Sequence, residues 1–180
     1  SSGKMGFALA EACAEVGAEV MLVAGPVSLK TNHSSIDRID VESAEEMYRA
    51  VLSEYDRSDI AIMCAAVADY APETVSDVKL KRTGEDRILR LRPNPDIAAE
   101  LGRRKRPGQC LVGFALETND EEMNARLKME KKNLDFIVLN SLRDAGAGFQ
   151  CDTNKVTVIG KQGDPVEIPC KPKIAVAADI

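Results

Sequence analysis

The chain has 180 residues, 44% apolar and 29% charged, with no low-complexity tract, which suits a single domain around one sizeable core. A net charge of −5 argues against nucleic acid as the main partner, and no apolar run reaches membrane-spanning length. The 5 cysteines are scattered without a CxxC pair, the only histidine is His33, and no signal-peptide pattern is seen, so neither a disulfide framework nor a structural zinc site is expected, and the expected location is a reducing cytoplasm.

Ser1-Ser2-Gly3-Lys4-Met5-Gly6 leads into an alanine-rich helix predicted over residues 7–16, with Gly17 as its C′ residue. A Gly/Ser loop at a helix start suits phosphate, but it matches neither G-x-x-x-x-G-K-[ST] nor G-x-G-x-x-G. By itself the segment reads as an ordinary helix capped by Ser1 or Ser2. Residues 19–24 form a buried strand ended by Gly25-Pro26, and residues 37–41 a short one after a polar loop. Ser43-x-x-Glu46 is a capping box for a helix with Ala44, Met47, Tyr48, Val51, Leu52 and Tyr55 on one face. The apolar run 60–67 is a buried parallel strand that breaks at Asp69, with Ala65, Ala66 and Ala68 at the break. A right-handed βαβ unit is the default for this order.

A basic cluster follows at Lys79, Lys81 and Arg82, and residues 87–91 alternate as an edge strand or the arm of a flap. Asn94 at the N-cap with Pro95 at N1 predicts a helix running to about residue 103. The run Arg103-Arg104-Lys105-Arg106 reads as a solvated helix end that complements the macrodipole. Residues 110–115 are a further buried strand. Thr118-x-x-Glu121 is a second capping box, for a helix over 119–132. There Lys128 and Lys132 share a face at i and i+4, which costs about 0.2–0.5 kcal/mol unless a polyanion sits over them; two solvated lysines fit equally well. Residues 134–140 are the last parallel strand, with Asn140 at its carboxyl end, and 145–149 are a flexible loop. Residues 155–159 and 165–168 flank a turn as an antiparallel hairpin, and Pro172 begins a final helix.

The chemistry-bearing residues do not form a Ser-His-Asp set, a Cys-His pair or a metal cluster. Positive charge and helix starts recur near strand carboxyl ends instead, at Gly3-Lys4, Lys79 to Arg82, Asn94, Asn119, Lys128 and Lys132. Such a site neutralises phosphates by position and charge, so a nucleotide or phosphorylated metabolite is the expected ligand class. Asp69 suits a base or sugar hydrogen bond, a metal–phosphate unit, or a plain turn.

Six segments together resemble phosphopantothenoylcysteine synthetase. They are Ser1 to Gly6, Ala65-Ala66-Val67-Ala68-Asp69-Tyr70, Lys79-Leu80-Lys81-Arg82, Asn94-Pro95-Asp96-Ile97, Val112-Gly113-Phe114-Ala115-Leu116-Glu117-Thr118 and Lys131-Lys132-Asn133-Leu134-Asp135. The resemblance covers nearly the whole chain and implies a Rossmann-like three-layer α/β sandwich, mainly parallel, with an appended antiparallel hairpin that serves dimerisation. It implies CTP-dependent condensation of 4′-phosphopantothenate with L-cysteine through an acyl-cytidylate, with magnesium, in coenzyme A biosynthesis. The expected partners are these substrates and a second copy of the chain, with no nucleic acid and no membrane. Fusion to a flavin-dependent decarboxylase domain is expected in the full-length protein, with no FMN in this chain.

Residue by residue, the resemblance places cytidine at Met63, Cys64, Ala65, Ala66 and Asp69, and the chemistry of the second half-reaction on the flap at Lys79. Asn94, Pro95, Asp96, Ile97 and Phe114 match nucleotide-binding positions, Lys128 and Lys132 the triphosphate lysines, and Ser2, Gly3 and Lys4 a phosphate loop. The metal ligands are not implied. Arg82 departs from the family's flap lysine, and a guanidinium fork is not an ammonium. Both ends of residues 1–180 read as cut. A Gly-Gly-Thr strand and an asparagine of the family pattern would precede Ser1, so the expectation is one synthetase domain lacking its N-terminal strand and last helix and inactive alone. The rival readings are a dinucleotide-dependent oxidoreductase, which lacks its G-x-G-x-x-G, and a non-catalytic nucleotide-binding module; thermal shift with nicotinamide cofactors and with CTP separates the first from a CTP enzyme.

Overall fold

The computed structural model describes residues 2–82, 84, 86–117, 120–141 and 151–180. Its elements run α1 (Lys4–Glu15), β1 (Val20–Ala24), β2 (Ile36–Asp40), α2 (Ala44–Tyr55), β3 (Ile60–Met63), β4 (Tyr70–Pro72), β5 (Leu91–Pro93), α3 (Ile97–Arg104), β6 (Cys110–Glu117), α4 (Glu121–Lys131), β7 (Phe136–Ser141), β8 (Thr153–Gly160), β9 (Val166–Pro172) and α5 (Lys173–Asp179). The main sheet has the order β3-β6-β7-β8-β9, parallel from β3 to β7 and antiparallel beyond, so the appended hairpin is present.

Strand alternation sorts the core into two layers of side chains. Leu111 of β6 and Ile137 and Leu139 of β7 face Ile97 and Leu101 of α3 and Ala125 and Met129 of α4. Val112 and Val138, one residue out of phase, face Met5, Ala8 and Leu9 of α1 and Val176 and Ala177 of α5. With the sheet between them, these helices make the three layers.

The strand–helix–strand unit expected through α2 does not close within one sheet. β1 and β2 form a separate parallel pair, so β2 and β3 lie in different sheets, and β1 and β3 each keep one edge without a strand partner among the described residues. The strand expected over 60–67 stops at Met63, where its pairing with Gly113 ends. The alternating residues 87–91 are the arm of a ribbon; residues 91–93 pair antiparallel with β4, and Arg90 O accepts one further bond from the Glu73 N–H at 2.9 Å.

Helix starts also differ from expectation. Gly3, not a serine, takes the N-cap position of α1, at φ 77. Val27 packs 3.1 Å from where a Gly3 Cβ would be, so both the backbone angle and the space call for glycine. Gly17 lies just past the end of α1 at φ 94, as expected of a C′ residue. Ser43 caps α2 as predicted, its hydroxyl accepting from the Glu46 N–H, while Glu46 accepts from the Glu42 N–H. Asp96, not Asn94, caps α3, its Oδ1 accepting from the Ala99 N–H at 3.1 Å. The reason is competition, because Asn94 is used elsewhere in the site. α4 starts at Glu121 after Asp120 at φ 43; Thr118 and Asn119 of the second capping box, and the loop over 145–149, lie outside the described residues.

At the amino ends of the strands the basic run is paired rather than free. Arg103 and Arg104 both bind Glu100, and Lys105 and Lys161 both bind Asp135 at 2.9 Å. Asp135 also accepts from the Leu111 N–H, and these donors overcome its burial and hold its carboxyl down at about 2. Tyr55 lies beside this cluster, 3% exposed, with no hydrogen-bond partner for its hydroxyl among the described residues. An unpaired buried hydroxyl costs about 1–3 kcal/mol. Tyr55→Phe is therefore expected to leave the domain as stable or more stable by up to about 1 kcal/mol in a urea melt, against the usual penalty for a core change.

Candidate functional site

The site assembles at the carboxyl ends of β3, β6 and β7, where ligands bind in open parallel sheets. Past Met63 the backbone turns tightly, with the Cys64 N–H donating to Ile62 O at 3.2 Å, and runs irregularly through Ala65 and Ala66 to Asp69. Asn94 fastens that run. Its side-chain Nδ2 donates to Ala68 O and its backbone N–H to Asp69 O, each at 2.8 Å. Tyr70 then pairs with Pro93, so Asp69 and Asn94 face each other at the base of the β4–β5 ribbon. Asn94 is committed to the 68–69 segment, which leaves the capping of α3 to Asp96.

α4 forms the opposite wall. Lys128 Nζ donates to Phe114 O at 3.0 Å, and Lys132 Nζ lies 2.9 Å from Asp96 Oδ2. Burial, and then Lys132 beside it, push Lys128 below the ordinary lysine range, while Glu117, Asp96 and Asp69 pull the other way. The Asp96 carboxyl resists its burial and lies below its usual range because Lys132 and the Ala99 N–H bind its charged form. The lysines at i and i+4 are thus held by a carbonyl and a carboxylate over the ends of β6 and α3. Of the remaining residues here, Phe114 turns its carbonyl to Lys128 and its ring to the α1 side, and Ile97 is a core residue with only backbone to offer a ligand.

The structure does not bring every expected residue to this cluster. Lys79, Lys81 and Arg82 lie exposed beyond the ribbon, and no hydrogen bond or ion pair among the described residues links Lys79 to Asp69 or Lys128. Lys4 is paired with Asp152 at 2.6 Å. Among the described residues, no three His, Cys, Asp or Glu side chains gather as metal ligands. His33 Nδ1 accepts from the Ser35 N–H within its loop.

A polar cluster behind the start of α1 was not anticipated. Lys173 donates to Cys151 O and, at 2.9 Å, to Thr153 O. Asn154 Nδ2 donates to Asn140 Oδ1 at 3.0 Å. Burial pushes the Cys64 thiol up to about 12 despite the nearby Lys173 charge, so this cysteine is a neutral packing residue. A signal was present in the sequence: Lys173 opens a helix, where a cation opposes the macrodipole, and Asp152 and Asn154 recur at strand spacing at the head of an apolar strand.

A family model described as the DNA/pantothenate metabolism flavoprotein C-terminal domain matches residues 1–180. The chain belongs to this family. Among relatives of this flavoprotein C-terminal domain, the coenzyme A biosynthesis bifunctional protein CoaBC of Bacillus subtilis (strain 168) is 49% identical over 180 residues, which are 100% of this chain and 44% of that protein. A protein named cysteine/cysteine sulfinic acid decarboxylase, from an unknown prokaryotic organism, is 54% identical over all of this chain and 50% of its own length. The chain thus spans about half the length of these relatives. A crystal structure of the C-terminal domain of a coenzyme A biosynthesis bifunctional protein CoaBC superposes with a TM-score of 0.82 at 38% identity, covering 99% of this chain and 79% of that one.

Proposed function

We propose that this chain is the phosphopantothenate–cysteine ligase part of a coenzyme A biosynthesis protein, with CTP as the activating nucleotide. The observation that carries the reading is the meeting of Asp69, Asn94, Lys128 and Lys132 at the strand ends, in a chain matched along its whole length by a bifunctional coenzyme A biosynthesis protein. In the proposed reaction a carboxylate oxygen of 4′-phosphopantothenate attacks the α-phosphorus of CTP, forming an acyl-cytidylate and expelling pyrophosphate. The cysteine amine then attacks the acyl carbon, forming the amide, and CMP leaves with the bonding pair and the amine proton passes to solvent or a base.

The chain's residues supply position and charge. Lys128 and Lys132 hold the phosphates, Asp69 and the backbone of residues 63–66 hold the nucleoside, and the phosphate loop at Ser2, Gly3 and Lys4 holds the phosphorylated substrate. Lys79 closes over the acyl-cytidylate from the flap. Magnesium is hard and takes one or two carboxylates together with phosphate oxygens. With Asp69 on the nucleoside and Asp96 committed to Lys132 and the Ala99 N–H, the ion would be held chiefly through the phosphate oxygens. When bound, the metal neutralises phosphate charge.

The arm of the ribbon exposes Val75, Val78, Leu80, Ile88 and Leu89, which supports a homodimer in which a second copy covers it. The free edges of β1 and β3 support a further strand between the two sheets, from sequence outside residues 1–180. The decarboxylase activity named for one relative belongs, in this reading, to the part of that protein that the chain does not match.

The test is product analysis on the full-length protein given CTP, magnesium, 4′-phosphopantothenate and cysteine. The expected products are phosphopantothenoylcysteine, CMP and pyrophosphate. Lys79→Ala is expected to lower turnover about 100-fold, roughly the share of one transition-state contact, while acyl-cytidylate still forms. Release of CO2 from cysteine or its sulfinate by this half alone, without ligation, would overturn the reading.

A further inference from the structure

Lys132 lies along α3. A Cβ at Gly102 would stand 1.9 Å from the Lys132 carbonyl oxygen, while Lys132 Nζ is 2.9 Å from Asp96 Oδ2 at the start of that helix. Residues 96 and 102 are about 9 Å apart along the helix axis. The direction of the side chain therefore follows from where its own main chain sits, and that is settled at the ends of α3 and α4, away from the proposed nucleotide site.

Asn133 makes the join there. It follows Lys132 in the left-handed region at φ 50, and its Nδ2 donates to Gly102 O at 2.9 Å. Gly102 O is among the last four carbonyls of α3, which ends at Arg104, and the Arg106 N–H that would serve it in a longer helix donates to Gln109 Oε1 instead. Asn133 thus caps α3 from the end of α4. Its own carbonyl accepts from Lys105 Nζ at 2.6 Å, just past α3, and its Oδ1 accepts from Lys161 Nζ of the β8–β9 turn at 3.3 Å. These partners all lie outside the proposed nucleotide site.

We infer that Asn133 is a positioning residue for the polyphosphate of the nucleotide: by closing the end of α3 onto the end of α4, it fixes the main chain of Lys132 and so aims that ammonium at the phosphates. Asn133 touches no substrate and acts only through Lys132. The inference rests on the ligase reading for the identity of the nucleotide.

Two substitutions separate this role from packing. Asn133→Gly keeps the positive φ and removes both side-chain bonds. Asn133→Asp keeps an acceptor for Lys161 but cannot donate to Gly102 O. In the full-length protein both variants are expected to bind CTP about 10-fold more weakly by titration calorimetry, with the affinity for CMP, which lacks the outer phosphates, and the KM for 4′-phosphopantothenate unchanged. In a Lys132→Met background no ammonium is left to aim, so neither variant is expected to lower kcat/KM for CTP further, although the melting midpoint falls by as much as before. A purely structural role predicts the same fold-loss in both backgrounds and a parallel loss for CMP. Either of those results, or wild-type affinity for CTP in either variant, overturns the proposal; if Asn133→Gly does not fold, the cycle is read from Asn133→Asp.

Inorganic tripolyphosphate gives a readout that depends on neither turnover nor the nucleoside. It is expected to bind the wild type and to bind Asn133→Gly about 10-fold more weakly. Equal binding to the two, or binding to neither, overturns the positioning role. A wild type that makes no phosphopantothenoylcysteine but still shows the difference overturns the ligase reading alone.

Discussion

Gly102→Ala is expected to destabilise the domain by about 4 kcal/mol or more, at the far end of what single substitutions do. A Cβ on Gly102 would overlap the carbonyl oxygen of Lys132 and come within 2.8 Å of its carbonyl carbon. Both are backbone atoms at the end of α4, and they cannot swing aside as a side-chain tip can. Asn133 reinforces the contact, donating from Nδ2 to Gly102 O at 2.9 Å. Relief therefore requires α3 and α4 to separate, which opens the core around Leu101, Met129 and Leu134. For a domain of this size, the loss corresponds to a fall in melting midpoint of about 10 °C. The separation would also carry Lys132 away from Asp96, so nucleotide affinity is expected to drop even at temperatures where the variant remains folded. Gly6→Ala is the matching control. Gly6 is a helical glycine with open space around its Cβ position, and the substitution is expected to stabilise by about 0.5–1 kcal/mol. Urea midpoints for the pair test the claim; equal effects of the same sign would refute it.

The lysine pair of α4 is expected to show the largest effect on activity. Lys132→Met should lower kcat/KM for CTP about 100-fold in the full-length protein, the loss of one charge-assisted contact of about 2–3 kcal/mol, and the double change with Lys128→Met further still. Stability should move the other way for Lys128. Its ammonium is half-buried and sits beside Lys132, which together push its pKa down. A cation with a lowered folded-state pKa opposes folding while it is charged, so Met at this position removes a burden. Lost turnover with an unchanged or raised melting midpoint is the expected signature. The pH dependence has a matching sign. Lys128 gives up its proton at a lower pH than free lysine, so CTP affinity should begin to fall on the alkaline side earlier than in Lys128→Arg, where the charge persists. Parallel loss of affinity and stability in Lys128→Met would refute the assignment.

Much of the fold was legible because local rules sufficed. The capping box at Ser43 and Glu46 formed as read, Gly17 ended α1, and the apolar runs at 110–115 and 134–140 became the central parallel strands. The chain order of the anion-seeking groups was also legible, and the structure brings Asp69, Asn94, Asp96, Lys128 and Lys132 to one place. What each group does there was not. Asn94 and Asp96 both suit a helix cap, and sequence rules favour the asparagine ahead of Pro95. The choice fell to Asp96 because Asn94 reaches Ala68, 26 residues away in the chain, a contact that local preference does not contain.

The amino-acid sequence by itself determined the alternation that gives β6 and β7 one apolar face for α3 and α4 and another for α1 and α5. It also determined the helix periods and the charge of the groups gathered for an anion, because these follow from side-chain spacing along the backbone. Only the tertiary structure decided that Lys132 would be held by Asp96, Lys128 by the Phe114 carbonyl, Lys4 by Asp152 and Asn140 by Asn154, and that the basic residues 103–105 would be spent on Glu100 and Asp135. The physical reason is that a polar side chain takes its partner from whatever the packed core brings within about 3 Å, and that choice is made by apolar surfaces that say nothing in the sequence about which charges will meet.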